Sequence, residues 1–184
     1  MCVVIVRACL LANLCLCLPC DKRDSVVKRS DSVTKAAIYK GCKMSVSDCV
    51  FCKIVAGSIP AVKVFEDEAC LAFLDIGPLA EGHVLLIPKV HAVTLDELTA
   101  DQAAACLRHL PALVRAVKAA TGCQGANVLQ NNGLVAHQVV PHVHFHIIPR
   151  NSGDAFNFNW PTGKYPPGKA QELADSLRKS LQNG

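Results

Sequence analysis

The chain has 184 residues, of which 51% are hydrophobic and 18% charged, with a formal net charge of +4. That length suits one globular core plus an appendage, and the apolar share excludes a chain disordered throughout. The charge is unevenly placed: residues 1–44 carry eight Lys or Arg against three Asp (8 − 3 = +5), and residues 45–184 carry eleven basic against twelve acidic side chains (11 − 12 = −1). The patterned part therefore lacks the clustered cations that a nucleic-acid backbone demands.

Residues 1–19 are apolar but interrupted by Arg7 and Asn13, which falls short of the about 20 uninterrupted apolar residues of a membrane helix. Residues 22–43 are basic, rich in Ser and Val, and show no periodic apolar face. The segment 1–44 is accordingly read as an extension: a targeting segment, a linker, or sequence preceding a true start at Met44. The folded domain is expected over 45–160, followed by a tail with a helix over 161–184, and no membrane partner is expected for the folded domain. Of eleven cysteines, six precede residue 45, and the other five form no scaffold pattern. Scattered thiols suit a reducing, cytoplasmic setting, with organelle targeting or anchoring through 1–44 as the alternative.

After the break at Ser58-Ile59-Pro60, two short apolar runs over 62–66 and 70–73 flank the acidic corner Glu66-Asp67-Glu68 and predict a β-hairpin. A third strand is expected over 83–87, between Gly82 and Pro88, and 89–91 leave it as a loop. Thr99 and Gln102 have capping-box spacing and open a helix. Its apolar stripe comprises Ala103, Leu107, Leu110, Val114 and Val117; Pro111 should kink it, and Gly122 should end it. Strands over 126–130 and 142–148, the latter stopped by Pro149, precede a terminal helix over 171–181 with Leu173, Leu177 and Leu181 on one side. Five strands and two main helices without βα alternation predict an antiparallel α+β domain.

The fifth strand holds His142-Val143-His144-Phe145-His146. Alternation puts the three imidazoles in a row about 6.5 to 7 Å apart, with Val143, Phe145 and Ile147 entering the core. Rings so spaced do not converge on one metal, whose bonds to nitrogen span about 2.0 to 2.1 Å. They suit an extended substrate, with different imidazoles serving an attacked phosphorus and its leaving group. The plainer alternative is the polar face of a half-buried strand.

The sequence resembles the histidine triad family of nucleotide hydrolases and transferases. The resemblance runs from Cys49 to about Trp160, through Phe51-Cys52-Lys53-Ile54, Phe65-Glu66-Asp67, Cys70 to Phe73, Asp75-Ile76, Gly82 to Pro88, Asn131-Asn132-Gly133 and the triad itself. Ala136-His137-Gln138-Val139 and the Trp160 tail resemble the eukaryotic adenosine 5'-monophosphoramidase branch. The resemblance implies a five-stranded sheet that dimerises into a ten-stranded one. It also implies release of AMP from purine nucleoside phosphoramidates, such as AMP-NH2 or AMP-lysine, through a nucleotidyl-histidine. A dinucleoside polyphosphate hydrolase and a non-catalytic purine-nucleotide sensor are the alternatives.

By position, the resemblance puts the nucleophile on His144, with His146 and His83 at the phosphate. It puts the ribose carboxylate on Asp75 and the base pocket on Phe51, Ile54, Phe73 and Ile76, with further nucleotide contacts from Asn131, Gln138 and Val139. Some phosphoramidases carry serine where this chain has Val139, which affects protonation of a leaving amine. Cys49, Cys52, His91 and His142 resemble a structural zinc site, two thiolates plus two imidazoles being a closed tetrahedral set. No organic cofactor is implied.

Overall fold

The computed structural model describes residues 47–156 and 161–183; the readings of 1–44 and of Trp160 fall outside them. The described part opens with a helix that the sequence pattern did not announce, α1 (Val50–Val55). Six residues are too few to sustain a helix in water, and burial holds this one: Phe51 and Ile54 both sit in the core, each worth roughly 1.5 to 3 kcal/mol.

The hairpin forms as β1 (Lys63–Glu66) and β2 (Cys70–Leu74). Its corner is organised by Asp67, whose Oδ1 accepts the backbone N–H groups of Ala69 and Cys70, both at 2.8 Å. Then follow β3 (Val84–Pro88), α2 (Ala100–Leu107), α3 (Leu110–Thr121), β4 (Gly125–Gln130), β5 (Phe145–Arg150) and α4 (Lys169–Gln182). The strands make one five-stranded sheet in the order β1-β2-β3-β5-β4, and every neighbouring pair is antiparallel.

Two cores lie on the two faces of this sheet. Cys70, Ala72, Val84, Leu86, Phe145 and Ile147 pack with Cys106, Leu113 and Val117 of α2 and α3. The alternate residues Leu71, Phe73, Leu85 and Ile87 pack with Cys49, Phe51 and Ile54. The period of two along β2 and β3 thus assigns successive side chains to different layers.

Three expectations are corrected. The single kinked helix is two helices broken at Arg108-His109, because Pro111 has no N–H and clashes with the carbonyl four residues back, so it is accommodated in the first turn of α3. The capping box holds, with Thr99 Oγ1 accepting Gln102 N–H at 3.2 Å and Gln102 Oε1 accepting Thr99 N–H at 2.9 Å. The fifth strand starts at Phe145 rather than at 142, since Val143 N–H donates to the Ala92 carbonyl of a loop, not to a strand. It also runs through Pro149, where β3 has stopped pairing and only β4 remains alongside, a position at which proline is tolerated.

Gly82, just before β3, has φ +83°, and a Cβ there would lie 2.4 Å from Thr121 Cγ2 at the end of α3. Only glycine satisfies both constraints. Arg150 closes the far end of β5 with Asp154, Asn127 and the Phe156 carbonyl, its guanidinium stacked 4.7 Å over the Phe156 ring. Leu173, Leu177 and Leu181 of α4 are exposed. No helix among the described residues is long and apolar enough to cross a membrane.

Candidate active site

The histidine segment enters β5 from a loop, and this decides where each ring points. His144 donates from Nδ1 to the backbone carbonyl of His142 at 2.6 Å. A carbonyl can only accept, so the proton is on Nδ1 and Nε2 keeps its lone pair. The ring is 5% exposed and lies edge-on to Phe51 with centroids 5.2 Å apart. Burial pushes its pKa below the usual imidazole value, which favours the neutral, nucleophilic ring.

His146 and His83 form a chain beside it. The Leu79 N–H donates to His83 Nδ1 at 3.2 Å, so the neutral His83 carries its proton on Nε2. That nitrogen lies 3.0 Å from His146 Nδ1. His146 then accepts at Nδ1 and carries its own proton on Nε2. Burial, then the neighbouring His144 and His83, push the His146 pKa down to about 4; burial lowers that of His83 as well. The His144 and His146 rings are 4.9 Å apart. One bare nitrogen and one N–H from adjacent rings thus stand together, a lone pair next to a donor.

Asp75 Oδ2 lies 3.5 Å from His83 Nδ1, while Oδ1 accepts the Gly77 N–H at 2.8 Å. It serves the turn and faces the histidine chain at once. Of the apolar candidates, Phe51, Ile54 and Phe73 are buried, Phe51 and Phe73 meeting edge to face at 5.7 Å, whereas Ile76 is 88% exposed. Val139 is exposed and Asn131 half-buried. Gln138 is buried, and its groups are spent on its own loop: Oε1 accepts Gly133 N–H, Nε2 donates to the Val93 and Val140 carbonyls, and its N–H donates to the Gly133 carbonyl. It braces the loop that leads to the triad.

His142 departs from the expected row. Its Nε2 donates to the Pro88 carbonyl at 2.9 Å, which turns Nδ1 towards Cys49 Sγ at 3.4 Å, Cys52 Sγ at 3.6 Å and His91 Nδ1 at 3.3 Å. Cys52 Sγ lies 3.3 Å from His91 Nδ1. Tetrahedral zinc with bonds of about 2.3 Å to sulfur and 2.0 to 2.1 Å to nitrogen would separate its ligands by about 3.5 Å (S to N) and 3.3 Å (N to N). The four separations just given match those values, and all four ligand atoms lie within 4.8 Å of one another, so the set fits such an ion. Burial, then Cys49, push the Cys52 thiol up to about 11, and burial pushes His142 down to about 4. The five cysteines after residue 46 are all free thiols.

Sequence reasoning missed the backbone partners, namely Leu79 N–H and the Pro88 and Ala92 carbonyls, for which no residue type is a signal. It also missed a second cluster on the other face, Asp67, Cys70 and His109, where His109 Nε2 lies 2.8 Å from Asp67 Oδ2.

An antiparallel α+β domain that sets a bare imidazole nitrogen beside an imidazole N–H defines a class of site able to offer a lone pair and a proton donor to one substrate centre. The HIT domain model matches residues 56–153, and the chain belongs to the histidine triad family. It is 45% identical to adenosine 5'-monophosphoramidase hnt1 of Schizosaccharomyces pombe, over 73% of this chain and 98% of that protein. It is 47% identical to adenylylsulfatase HINT3 of Arabidopsis thaliana, over 58% of this chain and 55% of that protein. Among solved structures, a zinc-bound histidine triad family protein from Mycobacterium smegmatis superposes with a TM-score of 0.58 at 33% identity, over 76% of this chain and 99% of that one.

Proposed function

We propose that the protein is a nucleotide hydrolase that releases AMP from adenosine phosphoramidates through a covalent intermediate on His144. The observation that carries this reading is the Nδ1–H bond from His144 to the His142 carbonyl, which leaves Nε2 free to attack. In the first step Nε2 bonds to the α-phosphorus, the phosphorus–nitrogen bond to the amine breaks, and the amine departs with a proton taken from solvent water. In the second, water attacks the phosphorus, the His144–phosphorus bond breaks, and AMP leaves. His146 donates to a phosphate oxygen from Nε2, His83 holds it in that tautomer, and Asp75 accepts the ribose hydroxyls. Phe51, Phe73 and Ile54 back the base, with Ile76, Asn131 and Val139 at the rim. The monophosphoramidase name of the fission-yeast relative supports the substrate class.

His144→Ala tests the assignment. Turnover of adenosine 5'-phosphoramidate should fall by at least about 10³-fold, and the nucleotidyl mass adduct on the protein should vanish. Wild-type turnover in that variant would end the reading. A protein that binds AMP tightly yet never forms the adduct would be a sensor instead.

A second reading is favoured by Val139, which offers no hydroxyl for a leaving amine. Cleavage of a mixed anhydride such as adenylyl sulfate releases an anion that needs no proton, and the plant relative bears that activity in its name. The ratio of kcat/KM for the two substrates decides between them.

Cys49, Cys52, His91 and His142 are proposed to hold a structural zinc, which supplies a cross-link between α1 and the loops after β3 and before β5. The zinc-bound mycobacterial structure supports this. The edge of β4, unpaired among the described residues and with Val128 exposed on it, supports a homodimer whose sheets join into ten strands. Sedimentation at micromolar protein would reject it by showing only monomer.

A further inference from the structure

His142 belongs to two systems at once. Its ring completes the sulfur–nitrogen cluster with Cys49, Cys52 and His91, and its backbone carbonyl is the acceptor that fixes the His144 proton on Nδ1. Among the described residues, no other contact of His144 selects that tautomer. The segment that carries the carbonyl is gripped from two sides. The loop after β3 holds it through the Pro88 carbonyl on His142 Nε2, through His91, and through the Ala92 carbonyl on Val143 N–H at 2.8 Å. Helix α1 holds it through Cys49 and Cys52 and through the edge of Phe51, which meets both the His142 and His144 rings.

We infer that Cys49, Cys52 and His91 are positioning residues for the nucleophile: with a zinc ion among them they fix His142, and the His142 carbonyl then holds His144 in its one reactive tautomer. This rests on the proposed nucleophile and zinc site. It adds that the cross-link governs the chemistry and not the fold alone. Without the cross-link only weak thiol contacts and the edge of Phe51 tie α1 to His142, the carbonyl keeps only its grip on the β3 side and can tilt, and the His144 proton can move to Nε2, the atom that must attack. The ribose side of the nucleotide pocket is spared, because Asp75 and Phe73 belong to β2 and the turn that follows it, whereas Phe51 and Ile54 at the base ride on α1 and share in the loss.

The test uses the full chain labelled with 15N in its imidazoles, as wild type loaded with zinc, as wild type stripped by a chelator and then given zinc again, and as His91→Asn. Zinc per chain is measured for each, and long-range 1H–15N spectra report the His144 tautomer, with His144→Ala identifying its signals. The loaded protein should hold one zinc and a single Nδ1–H tautomer. Stripped protein and His91→Asn should hold none and show both tautomers, and nucleotidyl-enzyme formation should slow by about 10- to 100-fold, with AMP affinity falling by a smaller factor. Adding zinc back to stripped wild type should restore tautomer and rate, which covers the case of a variant that fails to fold. A zinc-free protein that keeps the Nδ1–H tautomer and the wild-type rate overturns the inference, as does a wild type that takes up no zinc. If loaded wild type forms no nucleotidyl adduct at all, the functional reading has failed, while the tautomer comparison still decides the coupling.

Discussion

His142 and His146 stand four residues apart, yet their rings work in opposite geometries. Around His142 the free valences converge: two sulfurs and two nitrogens face a common point within 4.8 Å of one another. Around His146 they are chained, with Leu79 feeding His83, His83 feeding His146, and His146 left with one outward nitrogen. A convergent set is stable when a cation sits in the middle, since neighbouring lone pairs otherwise repel. A chained set needs no cation, and its output is a fixed pattern of donors and acceptors. One arrangement suits a cross-link, the other a reagent.

The two should therefore fail differently. Replacing Cys49 and Cys52 together by Ser removes both thiolates from the convergent set. We expect zinc binding to disappear and the melting temperature to fall by roughly 10 °C or more, because structural-zinc binding energy is folding energy. Calorimetry alongside metal analysis checks this, and an unchanged melt would mean that the cluster is no cross-link. His83→Ala breaks the chained set and should leave zinc content untouched while lowering kcat by about 10²-fold, the usual worth of a proton-handling group. His83→Gln, which can still donate towards His146, should recover part of that loss. Equal kcat for the Ala and Gln variants would show that donation to His146 is not what His83 provides.

The same contrast explains what was legible in the sequence. The sheet could be read because β2, β3 and β5 alternate between two buried layers, and Val143, Phe145 and Ile147 do enter the core. The row of three histidines could not, because it assumed that strand geometry extends back to 142. There the side chain of His142 and the N–H of Val143 are claimed by Cys49, Cys52, His91, Pro88 and Ala92, partners more than 50 residues away or on backbone. Helix α1 was invisible for a related reason: its six residues have no period long enough to read, and tertiary burial holds them in shape. The zinc-type set was visible only as residues matched by resemblance, and its geometry came from the fold. The side-chain polar atoms of Gln138 hold the loops around it, a use that spacing does not betray.

A subtler difference concerns protons rather than bonds. In the folded protein His146 has its pKa pushed down to about 4, chiefly by burial, and His83 is shifted in the same direction; in the unfolded chain both titrate near 6.5. Above about pH 6.5 both states are neutral there, and these groups contribute their full stability. As the pH falls from about 6.5 towards 4, the unfolded chain takes up protons that the folded chain refuses, so stability drops by up to about 1.4 kcal/mol per pH unit for each such group. His146→Asn removes one of these groups while keeping a small polar side chain, so its unfolding free energy should fall less steeply between pH 6.5 and 4.5 than that of the wild type, by about one proton's worth of slope. Urea unfolding at pH 7, 6 and 5 measures this, and parallel slopes for the two proteins would show that His146 does not resist protonation in the folded state. Because His146 lies outside the convergent cluster, the comparison should come out the same with and without zinc.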